Sequence, residues 1–274
     1  MDTALADRLS TIGRITAKAI KWFGLFFLLL PIMITMYQAF LPSVAFEIFP
    51  SSGLTLRWFS ILLDPEFLRA VGVSLLIGTG ATAISIFSGI FGALALARGD
   101  FRGRETVNML FLSPIMIPSV VKGLSFGFYF AIIGIRPGFI SLFLAHIVIT
   151  LPYVIRAVYP SFYGLDRSLE DASRNLGASE LQTFWKITLP LIKPGVLAGT
   201  IFGFVMSLDD VGVSAFLITP DTTNLGVLLL TWSRSVADNT IAAISVTLVL
   251  VTLIISSIAE RYIGFDRILG GLRY

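Results

Sequence analysis

Two adjacent carboxylates, Asp209 and Asp210, interrupt one apolar run of this sequence, and a single ammonium, Lys122, interrupts another. Two acids sharing one proton are the chemistry of an intramembrane aspartyl protease. Neighbours on a helix point about 100° apart, however, so this pair cannot form that dyad within one chain. A charge inside a membrane span costs roughly 2.5–3.5 kcal/mol on insertion scales and is tolerated where it meets a partner or lines a wet cavity. Lys122 paired with Asp209 or Asp210 is one such arrangement. Lining a solute path is another, with Phe126, Tyr129 and Phe204 as aromatic neighbours for a cation. Proton relay through Asp209 would suit a secondary transporter. The chain has no cysteine and one histidine, His146, which excludes disulfides, thiolate chemistry and a multi-histidine metal centre. No phosphate-binding Gly-x-x-x-x-Gly-Lys-Ser/Thr loop occurs, so nucleotide hydrolysis is not expected of this chain.

These charges must be held by membrane spans. Of the 274 residues, 55% are hydrophobic and 14% charged, against about 25% charged in a soluble domain. A span needs roughly 20 apolar residues. The expected runs are Trp22–Leu41, Ala70–Ala97, Val107–Ile133, Gly138–Tyr159, Pro194–Thr219 and Thr240–Ala259. Pro114 and Pro118 break the third. Straight-helix arithmetic puts Lys122 and Asp209 each about 25 Å from the nearest charge before its span, Glu105 and Lys193 respectively. Ser43-Val44-Ala45 looks like a signal-peptidase site. The apolar stretch before it is about 20 residues long, where a signal core has 7 to 15, so a retained span is expected. Ala81, Ser85, Gly89, Ala93 and Ala97 recur every four residues, a small-residue stripe that lets another helix approach closely.

Basic residues give the orientation. Fifteen lie in the N-terminal segment (Arg8, Arg14, Lys18, Lys21), the second-to-third connection (Arg98, Arg102, Arg104), the fourth-to-fifth (Arg156, Arg167, Arg174, Lys186, Lys193) and the C-terminal tail (Arg261, Arg267, Arg273). The alternate connections hold four: Arg57, Arg69, Arg136 and Arg234. Both termini and the fourth-to-fifth connection are therefore expected to be cytoplasmic.

That connection, 161–193, is more than a linker. Ser168 with Asp171 three residues on approximates a capping box. Gly177 suits a left-handed helix end. A second amphipathic helix is expected to open at Ala178-Ser179 and to close at Leu189-Pro190. Two short amphipathic helices at an angle make a docking surface. A hairpin lying on lipid headgroups has the same pattern.

Asp171-Ala172-Ser173, three residues, Gly177, nine residues, then Ile187-Thr188-Leu189-Pro190 resembles the Glu-Ala-Ala signature loop of binding-protein-dependent, type I ABC importer permeases. The sequence departs from it at Asp171 and Ser173, and Glu170 adjoins. Leu176-Gly177-Ala178-Ser179 and Ser207-Leu208-Asp209-Asp210 are similar to the spermidine/putrescine-type permeases within that group. Other members of the wider group take up ferric iron, sulfate, phosphonates or opines. Lys122 stands where a polyamine permease would have an apolar residue, which leaves room for an anionic group on the solute. The resemblance implies an all-α membrane fold of about six helices. Residues 1–67 would form an N-terminal segment, first span and periplasmic loop, 68–260 a five-helix core, and 261–274 a cytoplasmic tail. It implies a bacterial inner-membrane subunit that binds no cofactor itself. ATP and Mg would be used by two partner ATPase subunits. A second permease, usually a different chain, and a periplasmic binding protein would complete the assembly. Nothing implies nucleic acid. Residues Glu170, Asp171, Ala172, Ser173, Leu176, Gly177, Ala178, Ile187, Leu189 and Pro190 would couple to the ATPase.

Overall fold

The computed structural model describes residues 3–44, 47–50, 53–235 and 238–263. Ala45 of the Ser43-Val44-Ala45 triplet and residues 264–274 of the expected tail lie outside them. The described residues contain helices and no strand. They fall into two compact units, one of residues 1–64 and 232–274, the other of residues 65–231. This grouping puts the last span with the first, where the sequence reading had put it in 68–260.

In the first unit, α1 (Thr3–Gln38) and α10 (Thr240–Ile263) are joined by a small apolar cluster of Ala39, Ala243 and Val246. Asn239, at the start of α10, donates to the carbonyls of Leu41 (3.1 Å) and Ser43 (2.8 Å), which α1 has left behind. These bonds satisfy carbonyls of the segment that follows α1.

The second unit is built on α2 (Pro65–Arg98), α5 (Phe139–Tyr163) and α8 (Leu189–Asp209). The expected small-residue stripe is the reason they pack closely. A Cβ on Gly89 of α2 would stand 2.7 Å from Val154 of α5, so only glycine permits this approach. Ile90, Ala93 and Leu96 of α2, Val154, Ile155, Val158 and Phe162 of α5, and Ile192 of α8 fill the seam. Ser85 Oγ and Thr150 Oγ1, 2.7 Å apart, add a buried hydrogen bond between α2 and α5.

Among the described residues, four helices are long and apolar enough to cross a membrane: Thr16–Gln38, Pro65–Arg98, Phe139–Tyr163 and Glu180–Asp209. The third expected run is two helices, α3 (Arg104–Met116) and α4 (Ser119–Ile132), bent by 106°. Pro118 has no N–H and holds Ile117 extended (φ −86°, ψ 130°), so the helix must stop there. Straight-helix depth arithmetic therefore fails for Lys122. The fifth run is also shorter than expected. Its helix ends at Asp209, and 210–224 is a loop with short 3-10 turns before α9 (Leu225–Ser235).

Candidate functional site

The bend between α3 and α4 opens a pocket of about 410 Å³ against α5, α8 and the loop that follows α8. Lys122, Asp209 and Asp210 all line it, with Tyr153 of α5 and Met206 of α8. The structure thus brings the three expected charges together, by the corner at Pro118 and not by parallel spans. No Lys122–aspartate ion pair occurs among the described residues. The ammonium instead donates to the carbonyl of Pro114 at 2.9 Å. That carbonyl would have accepted from residue 118 in a continuing helix, and a proline there has nothing to donate. Lys122 therefore repairs the break it sits behind.

The two aspartates have different work. Asp210 accepts from the backbone N–H of Val213 (3.1 Å) and Ser214 (2.9 Å) and from the Ser214 hydroxyl (3.0 Å). Its carboxylate holds the loop in shape. Asp209, the last residue of α8, is exposed to the pocket and makes no side-chain hydrogen bond or ion pair among the described residues. Phe126, Tyr129 and Phe204, expected as aromatic neighbours, lie outside the pocket lining. Phe126 stacks on Phe130 (5.8 Å) one turn along α4, and Phe204 abuts Gly78 of α2. Phe126 stands one turn from both Lys122 and Phe130 on one face of α4, and its ring is stacked on Phe130.

Behind the pocket lies a polar node that the sequence reading passed over. His146, 1% exposed, joins Ser207 of α8 through Nδ1 (2.7 Å) and Ser214 of the loop through Nε2 (3.1 Å). Asn224 Nδ2 donates to Ser214 Oγ at 2.8 Å. The loop carrying Asp210 is thereby tied to α5. A lone histidine in an apolar run was the available signal. Its partners lie 61 and 68 residues away in sequence, so spacing could not reveal them.

The connection between α5 and α8 is a hairpin of α6 (Arg167–Asn175) and α7 (Glu180–Thr183). The cap of α6 is Asp166, not Ser168. Its carboxylate accepts from the Ser168 N–H at 2.9 Å, a bond that holds the carboxyl below its usual range. Gly177 has φ +87°, with Ala178 N–H bonded to Ser173 O and Gly177 N–H to Arg174 O. That is the Schellman pattern, and it requires the left-handed residue. Ser179 and Gln182 then form a capping box. Ser173, where the signature has alanine, pairs its hydroxyl with Thr183 at 3.1 Å, bracing α6 against α7.

The expected end at Leu189-Pro190 does not occur. Residues Phe184–Thr188 form a π-helical turn that runs straight into α8. The Leu189 N–H reaches back five residues to Phe184, which accommodates Pro190 without a break. Ile187 and Leu189 are half-buried at this root and Pro190 is exposed. The outward face carries Asp171, Ala172, Gly177 and the apolar Leu176 (89% exposed), Leu181 and Trp185. Glu170 points the other way. It is buried, ion-paired with Arg98 at the end of α2, and accepts from Thr188 Oγ1 at 2.5 Å. It is not available to an outside partner, contrary to expectation.

An all-helical membrane core with a hairpin of this signature set before its next span is the type I permease architecture of ABC importers. The chain belongs to the family of binding-protein-dependent transport system inner membrane components, whose model matches residues 85–264. It is thus a multi-pass inner-membrane transport subunit and not an enzyme. It is 33% identical over 219 residues to the spermidine/putrescine transport system permease protein PotC of Escherichia coli strain K12, covering 80% of this chain and 83% of that protein. It is 32% identical over 235 residues to the putrescine transport system permease protein PotI of the same strain, covering 83% of each. A chain of a bacterial ABC transporter involved in import of the acidic polysaccharide alginate has the same fold. Its TM-score is 0.75 at 18% identity, covering 96% of this chain and 99% of that one.

Proposed function

We propose that this subunit conducts a polyamine-like cation inward, driven by ATP hydrolysis in two partner ATPase subunits, with a second, different permease chain and a periplasmic binding protein completing the assembly. The observation that carries the solute assignment is Asp209. It is an unpaired carboxylate on a pocket wall, while the neighbouring ammonium is committed to a backbone carbonyl. The pocket therefore offers a cation an acceptor that no internal group has claimed. Lys122 gives one of its three N–H groups to Pro114 and keeps its charge on the same wall, so the choice of a cation over an opine, phosphonate or sulfate rests on Asp209 and on the relatives. The similarity to two polyamine permeases supports the same choice.

In this reading the hairpin face of Asp171, Ala172, Leu176 and Gly177 docks on the ATPase in the cytoplasm, and both termini lie on that side. ATPase closure would move the hairpin, and α8 would carry that movement to Asp209 at its far end. Exposure of the pocket to one side of the membrane and then the other follows from two arrangements of the helix core, biased by ligands at both ends. The test is Asp209→Asn in the assembled complex. Spermidine uptake is expected to fall about tenfold or more while the ATPase still copurifies, the scale of one lost charge-assisted contact. Full uptake by this variant refutes the pathway assignment.

A further inference from the structure

Glu170 has a disposition that docking does not explain. Its neighbours Leu169 and Asp171 are exposed, yet Glu170 is 5% exposed. A carboxylate leaves water at this cost only when its oxygens are claimed by partners. Here they are: Oε2 faces Arg98 on α2, and Oε1 accepts from Thr188 in the π-helical turn at the root of α8. Arg98 gives the arrangement a second anchor, because its guanidinium lies 6.0 Å from the ring of Phe162 on α5. Its Nε and Nη2 find no other acceptor, so Glu170 is the carboxylate on which this buried cation depends.

The remaining side-chain bonds of α6 stay within the hairpin: Asp166 with Ser168, Ser173 with Thr183, Arg174 with Asp171 and Glu180. Among the described residues, Glu170 is therefore the one polar tie from α6 to the helix core. A crevice of about 240 Å³ runs alongside, between Leu94, Arg98, Thr183 and Phe184. The crevice leaves room beside α6 on the side where the carboxylate makes its ties.

We propose that Glu170 is a positioning residue that transmits movement of the docking hairpin into the core, by clamping α6 at once to the end of α2 through Arg98 and to the root of α8 through Thr188. The inference rests on the proposed importer function. α2 and α8 both pack on Val154 of α5, so a displacement of α6 reaches two helices of one packed unit together. Without the clamp the hairpin still presents Leu176 and Asp171 outward, but α6 then reaches α8 only through α7 and the turn at Phe184–Thr188, and has no polar tie to α2.

The test uses the complete transporter in proteoliposomes with its binding protein. The readout is radiolabelled spermidine imported per ATP hydrolysed. In Glu170→Gln and Arg98→Met the ATPase subunits are expected to copurify as with the parent, while the ratio falls about tenfold. Thr188→Val, which removes only the tie to α8, is expected to fall in between. The reversed pair Arg98→Glu/Glu170→Arg is expected to recover import per ATP above either single variant. A parental ratio in both single variants overturns the inference and leaves the importer function standing. So does a fall that merely tracks lost ATPase or lost thermal stability, because a structural strut would do the same. A parent chain that retains no ATPase and imports no spermidine overturns the function and this inference together.

Discussion

Gly177 separates backbone geometry from contact. Its φ is +87°, and an added Cβ would meet nothing within 4 Å in this chain. Substitution therefore carries no internal clash, and the cost is conformational alone. An L-residue in the left-handed region costs about 1–2 kcal/mol, more when β-branched and less for asparagine. That is a factor of about 5–30 in the population of the bent hairpin. The expected ranking of uptake is Gly177 first, then Gly177→Asn, Gly177→Ala and Gly177→Val. Insertion into the membrane is expected to be unchanged in all three, since the site is exposed and outside the spans. The assay is solute uptake and ATPase copurification across the series. A different order refutes the reasoning. If Ala outperforms the bulkier Asn, side-chain size against a partner governs and the left-handed cap does not.

Lys122→Met should leave the Pro114 carbonyl without its donor and lower thermal stability in detergent by about 1–3 kcal/mol. Adding Asp209→Leu should not rescue it, with a coupling under about 0.5 kcal/mol; a clear rescue would establish an ion pair. His146→Ala removes two buried hydrogen bonds, one to α8 and one to the loop after it, about 1–3 kcal/mol in a membrane protein, and unfolding in detergent should register the loss. An unchanged midpoint would show that Ser207 and Ser214 find other partners. Single cysteines placed in this cysteine-free chain at Asn175, Pro50 and Asp221 should report sidedness. An impermeant reagent on intact cells should label positions 50 and 221 and spare 175, and the reverse pattern would invert the topology.

The hairpin was legible because its signals are local. Gly177 at a helix end and Ser179 at a helix start need only neighbours a few residues away. The break at Pro118 was legible for the same reason, though its angle was not, and the break expected at Pro114 does not occur, since that residue lies inside α3. What escaped were relations between distant segments. Arg98 read as one more basic residue after a span, and Glu170 as part of an acidic docking edge, although the two are partners. A Lys122–aspartate pair was one arrangement that the cost of lone charges allowed, beside the lining of a solute path. A carbonyl orphaned by proline satisfied the lysine instead, a competitor visible in the Pro114-x-x-x-Pro118 spacing. The extension of the fifth span to Thr219 failed because apolarity continues past Asp210 while the helix does not. Asp210, Ser214 and Asn224 supply the turn that ends it.

The π-helical turn at Phe184–Thr188 amounts to one extra residue threaded into an otherwise regular helix. Taking one residue out would close the turn into α-helix, and everything on its N-terminal side would rotate by about 100° and advance about 1.5 Å. The compass bearing of the hairpin relative to α8 is thus set by a single insertion together with the ties that Glu170 makes to Arg98 and Thr188. Shifting that one residue would re-aim the hairpin's outward face at the expense of the Glu170 ties, with Asp209 and its pocket left untouched some twenty residues away.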